Sequence, residues 1–141
     1  MVELTNTEQE KAKVLVQQGM QKAAQSLSFF LKKTVALQEI ENDTCSLAHS
    51  LNLKPKSSGD ICVLTTYLLG ELKGVCYLIF SEQEMELLMQ TELPAEILNQ
   101  PELKSEMGKA LLLEMDNIIS ANVITEFANA LKVKIYGDVP S

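Results

Sequence analysis

The 141-residue chain has little positive charge and no long apolar run. It carries 12 Lys and Arg residues against 19 Asp and Glu residues, which gives a formal net charge of −7. Nucleic-acid backbones recruit concentrated positive charge, and the sequence concentrates none. No apolar run approaches the ~20 residues of a membrane-spanning helix, and the N-terminus lacks a secretory pattern. We therefore expect neither nucleic acid nor a membrane as a partner.

The residues that build many active sites are also scarce. The three cysteines, Cys45, Cys62 and Cys76, are not in metal-binding spacing. Two of them fall in predicted strands, where cysteine is usually a small buried side chain, and a reducing cytoplasm is the simplest location. The only histidine, His49, lies in a stretch without a clear pattern and is a poor basis for a Ser-His-Asp triad. The acidic residues between 82 and 102 are typical of a solvated face rather than a metal site, and the six glycines form no phosphate loop.

The length and the ordinary composition, 46% hydrophobic and 22% charged, predict one domain spanning residues 1–141. Two long helices are predicted within it. Thr7-x-x-Glu10 has the form of a capping box and opens a helix that runs to about Lys33. Pro101, which suits a first helical turn, opens a second helix that extends to Leu131. The apolar stripe of the first helix consists of Val16, Met20, Ala23, Leu27 and Phe30.

β-Branched and aromatic residues mark the strands. Residues 61–69 and 75–80 are the clearest, and the glycine-containing loop between them predicts a hairpin. Because both strands are apolar on both faces, we expect a sheet that is covered on both sides or paired with another subunit. The predicted fold class is α+β, a mainly antiparallel sheet packed against two long helices and completed by dimerisation. Further predicted elements are strands at 35–41 and 132–136, a helix at 44–53, and a helix to about residue 90 that begins with the capping box Ser81-x-x-Glu84.

The second long helix carries the candidate site. At about 100° per residue, its apolar stripe consists of Leu112, Ile119, Val123, Phe127 and Ala130. Glu114 and Asn117 lie together on the opposite face, because residues three apart are neighbours on a helix. Ala110, Ala121 and Ala128 flank this pair and Thr125 lies in line with it, so another protein could approach the two polar groups closely. On spacing alone, such a pattern is more often an ordinary solvated helix face.

The residues around this pair resemble the signature of the CheC/CheX/FliY family of bacterial chemotaxis phosphatases. Glu114-x-x-Asn117 is followed, after 22 intervening residues, by Pro140. The segment IISANVITEFANAL directly after Asn117 is similar to the family's ILAGxxLxALxxxL. An internal similarity between residues 24–35 and 126–133 also fits the family's fold, a pseudo-twofold pair of helices over a sheet.

The resemblance implies a phosphatase that hydrolyses the aspartyl phosphate of a CheY-type response regulator, in chemotaxis or another two-component pathway. It implies that Asn117 orients the attacking water, that Glu114 pairs with a receiver lysine, and that Pro140 is a structural member of the motif. No cofactor or metal is expected from this chain, because the receiver would bring its own Mg²⁺. The residues that would form the surrounding partner-binding surface are Ala110, Ala121 and Thr125.

The sequence departs from the family pattern at several positions. Ala110 stands where Asp or Ser is usual, and Asp116 stands where glycine is common. Asp116 projects onto the apolar side, where it is buried with a partner, shifted by a different helix phase, or near a subunit boundary, because an unpartnered buried carboxylate costs several kcal/mol. The positions of the first helix expected to carry Glu and Asn are Val14 and Gln17, so the single site resembles homodimeric CheX. The family continues past the proline with further strands, and this chain stops at Ser141, so we expect a second subunit to complete the sheet.

Two other interpretations stand beside the phosphatase. Ala110, the lost first motif and the short C-terminus favour a non-catalytic CheC-like binding or adaptor module for a signalling partner. The third is a dimeric α+β protein that merely shares the helix pattern. Exposure of Glu114 and Asn117 on one face is necessary for the phosphatase and for the adaptor.

Overall fold

The computed structural model describes residues 4–37 and 60–141. Within these residues the protein is α+β, as predicted, with two long helices and an antiparallel sheet. The predicted helix at 44–53, residues 38–41 of a predicted strand, Cys45 and His49 lie outside them, and residues 35–37 form no strand. The elements are α1 (Asn6–Leu31), β1 (Ile61–Gly70), β2 (Gly74–Ser81), α2 (Glu82–Glu92), α3 (Ala95–Leu98), α4 (Pro101–Leu131) and β3 (Ile135–Gly137).

Helix α1 begins with a different capping box from the predicted one. The Thr5 hydroxyl accepts a hydrogen bond from the Glu8 N–H at 3.2 Å, and the Glu8 carboxylate accepts one from the Thr5 N–H at 2.8 Å. The sequence offers two Thr-x-x-Glu pairs two residues apart, and the choice of Thr7 was wrong. The earlier pair satisfies the same backbone donors and lets the helix begin about half a turn sooner.

The two long helices end in the same way. Lys32 and Lys132 both adopt the left-handed conformation, with φ of 56° and 55°. In each case the backbone N–H donates to the carbonyl four residues earlier, as in an αL helix terminus. The same interval of 100 positions relates Gln17 to Asn117, in agreement with the internal similarity of the sequence.

The described sheet has β1 at its centre, with β2 on one side and β3 on the other, all antiparallel. Leu68 pairs with Gly74 in the hairpin, and Leu69 pairs with Tyr136 of β3. β3 begins later than the predicted strand at 132–136. Gly70 has φ +106°, and a Cβ there would collide with the carbonyl oxygen of Lys134, so this crossing of the chain requires glycine.

Helix α4 lies on one face of the sheet, and α1 packs along α4. The predicted stripe of α4 was therefore too narrow. Ala130 is exposed, whereas Ile124, which the stripe did not include, is buried. Phe30 of α1, also predicted to be buried, is exposed. The buried hydrophobic residues are Ala23, Leu27, Leu64, Leu112, Met115, Ile124 and Ile135.

The opposite face of the sheet is open among the described residues. Side chains alternate along β1, so Leu64 and Thr66 face the helices and are buried, whereas Val63 and Tyr67 face away and are exposed. The sequence predicted a sheet that is covered on both sides or paired with another subunit, and the described helices cover one side. The exposed members of the open sheet face are Ile61, Val63, Tyr67, Leu69, Val75, Tyr77, Ile79 and Tyr136.

Candidate functional site

The face of α4 that carries Glu114 and Asn117 is exposed. Both side chains are solvent-accessible, although Met115 and Asp116 between them are buried. The residues placed around the pair by the sequence, Ala110, Ala121 and Thr125, are exposed as well. The geometry thus meets the condition that both the phosphatase and the adaptor require.

Glu114, Asn117 and Pro140 line one open groove of about 690 Å³. Ala110 lies in the same groove, whereas Ala121 and Thr125 lie further along the exposed face and do not line it. Sequence analysis did not identify the rest of the lining, which comes from α4, β1, β3 and the C-terminal segment, residues 138–141. These residues are Leu69, Leu113, Tyr136, Gly137, Asp138 and Val139.

The C-terminal segment places Pro140 beside the helix because it continues along β1. Two hydrogen bonds join Asp138 to Tyr67. The Asp138 N–H donates to the Tyr67 carbonyl at 3.0 Å, and the Asp138 carboxylate accepts from the Tyr67 N–H at 2.8 Å. Thr65 and Ser141 then pair through two backbone bonds of 2.8 and 3.1 Å. The second pairing leaves one extra residue in the C-terminal segment, as in a β-bulge. Proline, which has no N–H to donate, suits such a position.

The groove is acidic. Its lining includes the carboxylates of Glu114 and Asp138 and, among the described residues that form it, no Lys, Arg or His. A small anionic phosphate ester would meet a repulsive potential there. The charge of the groove therefore favours a partner that presents positive charge.

The two candidate side chains are available to a partner. Within residues 4–37 and 60–141, neither Glu114 nor Asn117 makes a hydrogen bond or ion pair with another side chain. The Asn117 carboxamide can donate and accept at once, and the Glu114 carboxylate can receive a cation. The same residues contain no group of three or more His, Cys, Asp or Glu side chains placed to hold a metal ion.

Asp116 is buried with partners, the first of the three situations that the sequence allowed. Its side chain is 1% exposed. The Thr66 hydroxyl donates to one carboxylate oxygen and the Ser120 hydroxyl to the other, each at 2.9 Å. Burial, and secondarily the charge of Asp116, raises the pKa of the neighbouring Cys76 thiol, so this cysteine stays protonated at neutral pH.

This buried carboxylate fixes the rotation of α4. Asp116 and Asn117 are consecutive, so their side chains point about 100° apart around the helix axis. Because Thr66 belongs to β1, its bond to Asp116 ties the buried side of the helix to the sheet. Asn117 is thereby held toward the groove, although its side chain makes no hydrogen bond or ion pair with another side chain in the described ranges.

Replacing Thr66 with valine is expected to lower the free energy of unfolding by about 1–3 kcal/mol. Valine keeps the shape of the side chain and removes one of the two donors to a buried carboxylate. Urea unfolding followed by circular dichroism measures the loss. The matched control is Thr65→Val, one residue earlier on the opposite face of β1, which should change stability by no more than about 0.5 kcal/mol. Equal effects of the two substitutions would contradict this role for Thr66.

Comparison of the sequence with protein-family models and with curated protein sequences finds no match. In the described part of the chain, no helix combines the length and the apolar character needed to cross a bilayer. The resemblance to the CheC/CheX/FliY family therefore rests on the motif residues of the sequence alone.

Proposed function

We propose that the chain is a phosphatase that hydrolyses the aspartyl phosphate of a CheY-type receiver domain. The observation that carries this proposal is the meeting of Glu114, Asn117 and Pro140 in one groove. The pair and the proline are well separated in the sequence, and an ordinary solvated helix face gives no reason for them to meet. Their convergence supports the family motif as a functional unit.

The reaction needs positioning more than it needs a strong base. The oxygen of a water molecule attacks phosphorus in line with the aspartyl oxygen, the phosphorus–oxygen bond to aspartate breaks, and its electron pair returns to the receiver carboxylate. The attacking water passes its proton to the phosphate group or to solvent, and inorganic phosphate is released. The Asn117 carboxamide oxygen accepts a hydrogen bond from this water, and its NH₂ group is free to donate to a phosphoryl oxygen. Holding the water in line removes much of the entropic barrier.

Glu114 has the complementary role of docking the receiver. A CheY-type receiver carries a lysine and a bound Mg²⁺ next to its phosphate, so it brings the positive charge that the acidic groove lacks. Pairing of that lysine with Glu114 would fix the register between the two proteins. The short side chain of Ala110 lets the receiver loops come close to the helix.

The proposal includes a homodimer. Monomeric proteins rarely expose large contiguous apolar patches, and the open sheet face is one among the described residues. A second copy placed on this face would bury it. Leu69 and Tyr136 belong both to this face and to the lining of the groove, so assembly would leave the candidate site at the edge of the dimer.

The lifetime of the receiver phosphate tests the proposed activity. CheY-type receivers from the source organism are phosphorylated with acetyl phosphate, freed of excess donor, and followed on phosphate-affinity gels with and without this protein. We expect faster loss of phosphate with at least one receiver. Glu114→Lys should weaken receiver binding, because it replaces attraction of the receiver lysine by repulsion.

A non-catalytic adaptor is the second candidate, and Ala110 favours it. At this edge of the groove, a methyl group stands where the family usually supplies a polar contact. An adaptor would bind the phosphorylated receiver and leave the phosphate lifetime unchanged or lengthen it. Unchanged or slower decay with every receiver, together with measurable binding, would replace the phosphatase proposal by this one.

A further inference from the structure

A second groove adjoins the candidate site and shares Glu114 with it. This groove, of about 650 Å³, lies between the end of α1 and the middle of α4. Phe29 and Phe30 of α1 form one side together with the polar residues Gln25, Ser26 and Lys32, and Glu114 and Ile118 of α4 form the other. Glu114 therefore lies on the boundary between the two grooves. A protein that binds its carboxylate would contact both grooves.

The most exposed large apolar side chains of the described chain flank this boundary. Phe29 is 87% exposed and lines the second groove, and Val139 is 85% exposed and lines the first. An isolated exposed apolar side chain needs no explanation. Two such side chains on either side of one carboxylate are typical of a protein-binding surface, in which apolar anchors surround a polar contact.

We propose that Phe29 is an anchor residue for the receiver and that the receiver-docking surface extends from α4 across to α1. This inference rests on the proposed function and deepens it, since it assigns partner affinity to a residue outside the ExxN–Pro motif. In this arrangement the receiver lysine pairs with the Glu114 carboxylate, and an apolar patch of the receiver beside that lysine covers Phe29. Phe30 and Ile118 lie around this contact and help to exclude water from it.

The anchor role predicts a separation of binding from chemistry. Phe29 lies on the opposite side of Glu114 from Asn117, so its truncation leaves the water-positioning group untouched. Phe29→Ala should raise KM and weaken receiver binding about 10- to 100-fold, with kcat within about twofold of the wild-type value. Because the side chain is almost fully exposed, its removal should not lower stability, which circular dichroism and urea unfolding check.

The experiment compares the wild type, Phe29→Ala, and the control Leu87→Ala. Leu87 is a large apolar residue on α2, 65% exposed, and it lines neither of the two grooves. Phosphate release gives kcat and KM, and calorimetry with beryllofluoride-activated receiver gives Kd. Weaker binding by Phe29→Ala alone supports the anchor.

Three other outcomes overturn the anchor. If the wild type accelerates phosphate release and Phe29→Ala has unchanged KM and Kd, the anchor is wrong and the phosphatase stands. If Phe29→Ala changes only the sedimentation of the protein alone, the groove is occupied by a second copy. If the wild type neither binds nor dephosphorylates any receiver, both proposals fall. Binding without acceleration, weakened by Phe29→Ala, supports the anchor while removing the phosphatase.

Discussion

Asn117→Ala is expected to reduce hydrolysis of the receiver phosphate by at least about 100-fold, with little change in receiver affinity. The substitution removes the carboxamide oxygen that holds the attacking water and the NH₂ group that donates to the phosphoryl oxygen. It leaves Glu114, the proposed docking residue, in place on the same helix. Asn117 is exposed and makes no hydrogen bond to another side chain in the described chain, so the variant should fold normally. Single-turnover decay of the phosphate, combined with calorimetric Kd, separates the two effects.

The matched control is Asn99→Ala. Asn99 is also an exposed asparagine, located between α3 and α4, and it does not line the groove. Wild-type rates are expected for this control. If Asn117→Ala retained the wild-type rate, or if Asn99→Ala lost as much activity, Asn117 would not be the water-positioning residue.

Enlarging Gly19 is expected to give the largest loss of stability. A Cβ at Gly19 would lie 2.7 Å from the Cα of Val123 and 3.0 Å from its Cγ2. The backbone of α4 cannot move away without separating the two long helices. Gly19→Ala should therefore lower the free energy of unfolding by about 1–3 kcal/mol, despite the higher helix propensity of alanine. Gly19→Leu should remove most of the ~5–15 kcal/mol typical of a domain. Thermal and urea unfolding measure both.

Gly108→Ala provides the control for this prediction. Gly108 is also a buried glycine within a long helix, but a Cβ there would meet the Sδ and Cγ atoms of the Met89 side chain and no backbone atom of another element. Methionine is flexible and can move into nearby space. We expect little change in stability, or a small gain from helix propensity. If Gly108→Ala lowered the free energy of unfolding as much as Gly19→Ala, the loss at Gly19 would not be explained by its close approach to the backbone of α4.

Local patterns were sufficient to predict most of the described elements. Pro101 and Leu131 bound the second long helix in the structure as they did in the sequence, because a proline suits a helix start and the apolar periodicity persists between them. The hairpin strands were also located within a residue or two from their β-branched content. The choice between Thr5 and Thr7 was wrong, since two overlapping pairs satisfy the same rule and the sequence offers no means of ranking them.

Long-range contacts explain what sequence reasoning missed. The single stripe assigned to α4 assumed one neighbour, and the helix has two, so Glu126 is buried beside Lys22 of α1. A charged residue in that position carries no local signal of burial. The sequence did locate Glu114 and Asn117 on an exposed face, because helical spacing alone determines that.

The remaining site residues required the tertiary structure. Asp138 and Val139 reach the groove only because the C-terminal segment pairs with β1, which no local pattern indicates. Phe29 was missed for a different reason. It adjoins the apolar stripe of its helix, and only its position across the second groove from Glu114 suggests that it contacts a partner.

The open sheet face also determines the tyrosine fluorescence of the protein. The chain has no tryptophan and three tyrosines. Tyr67, Tyr77 and Tyr136 are 53%, 61% and 59% exposed, and all three lie on that face. Tyrosine fluorescence therefore comes from this one surface and not from the helical core. A second copy or another protein that covers the surface changes the tyrosine emission directly, without a label and without any change in the fold.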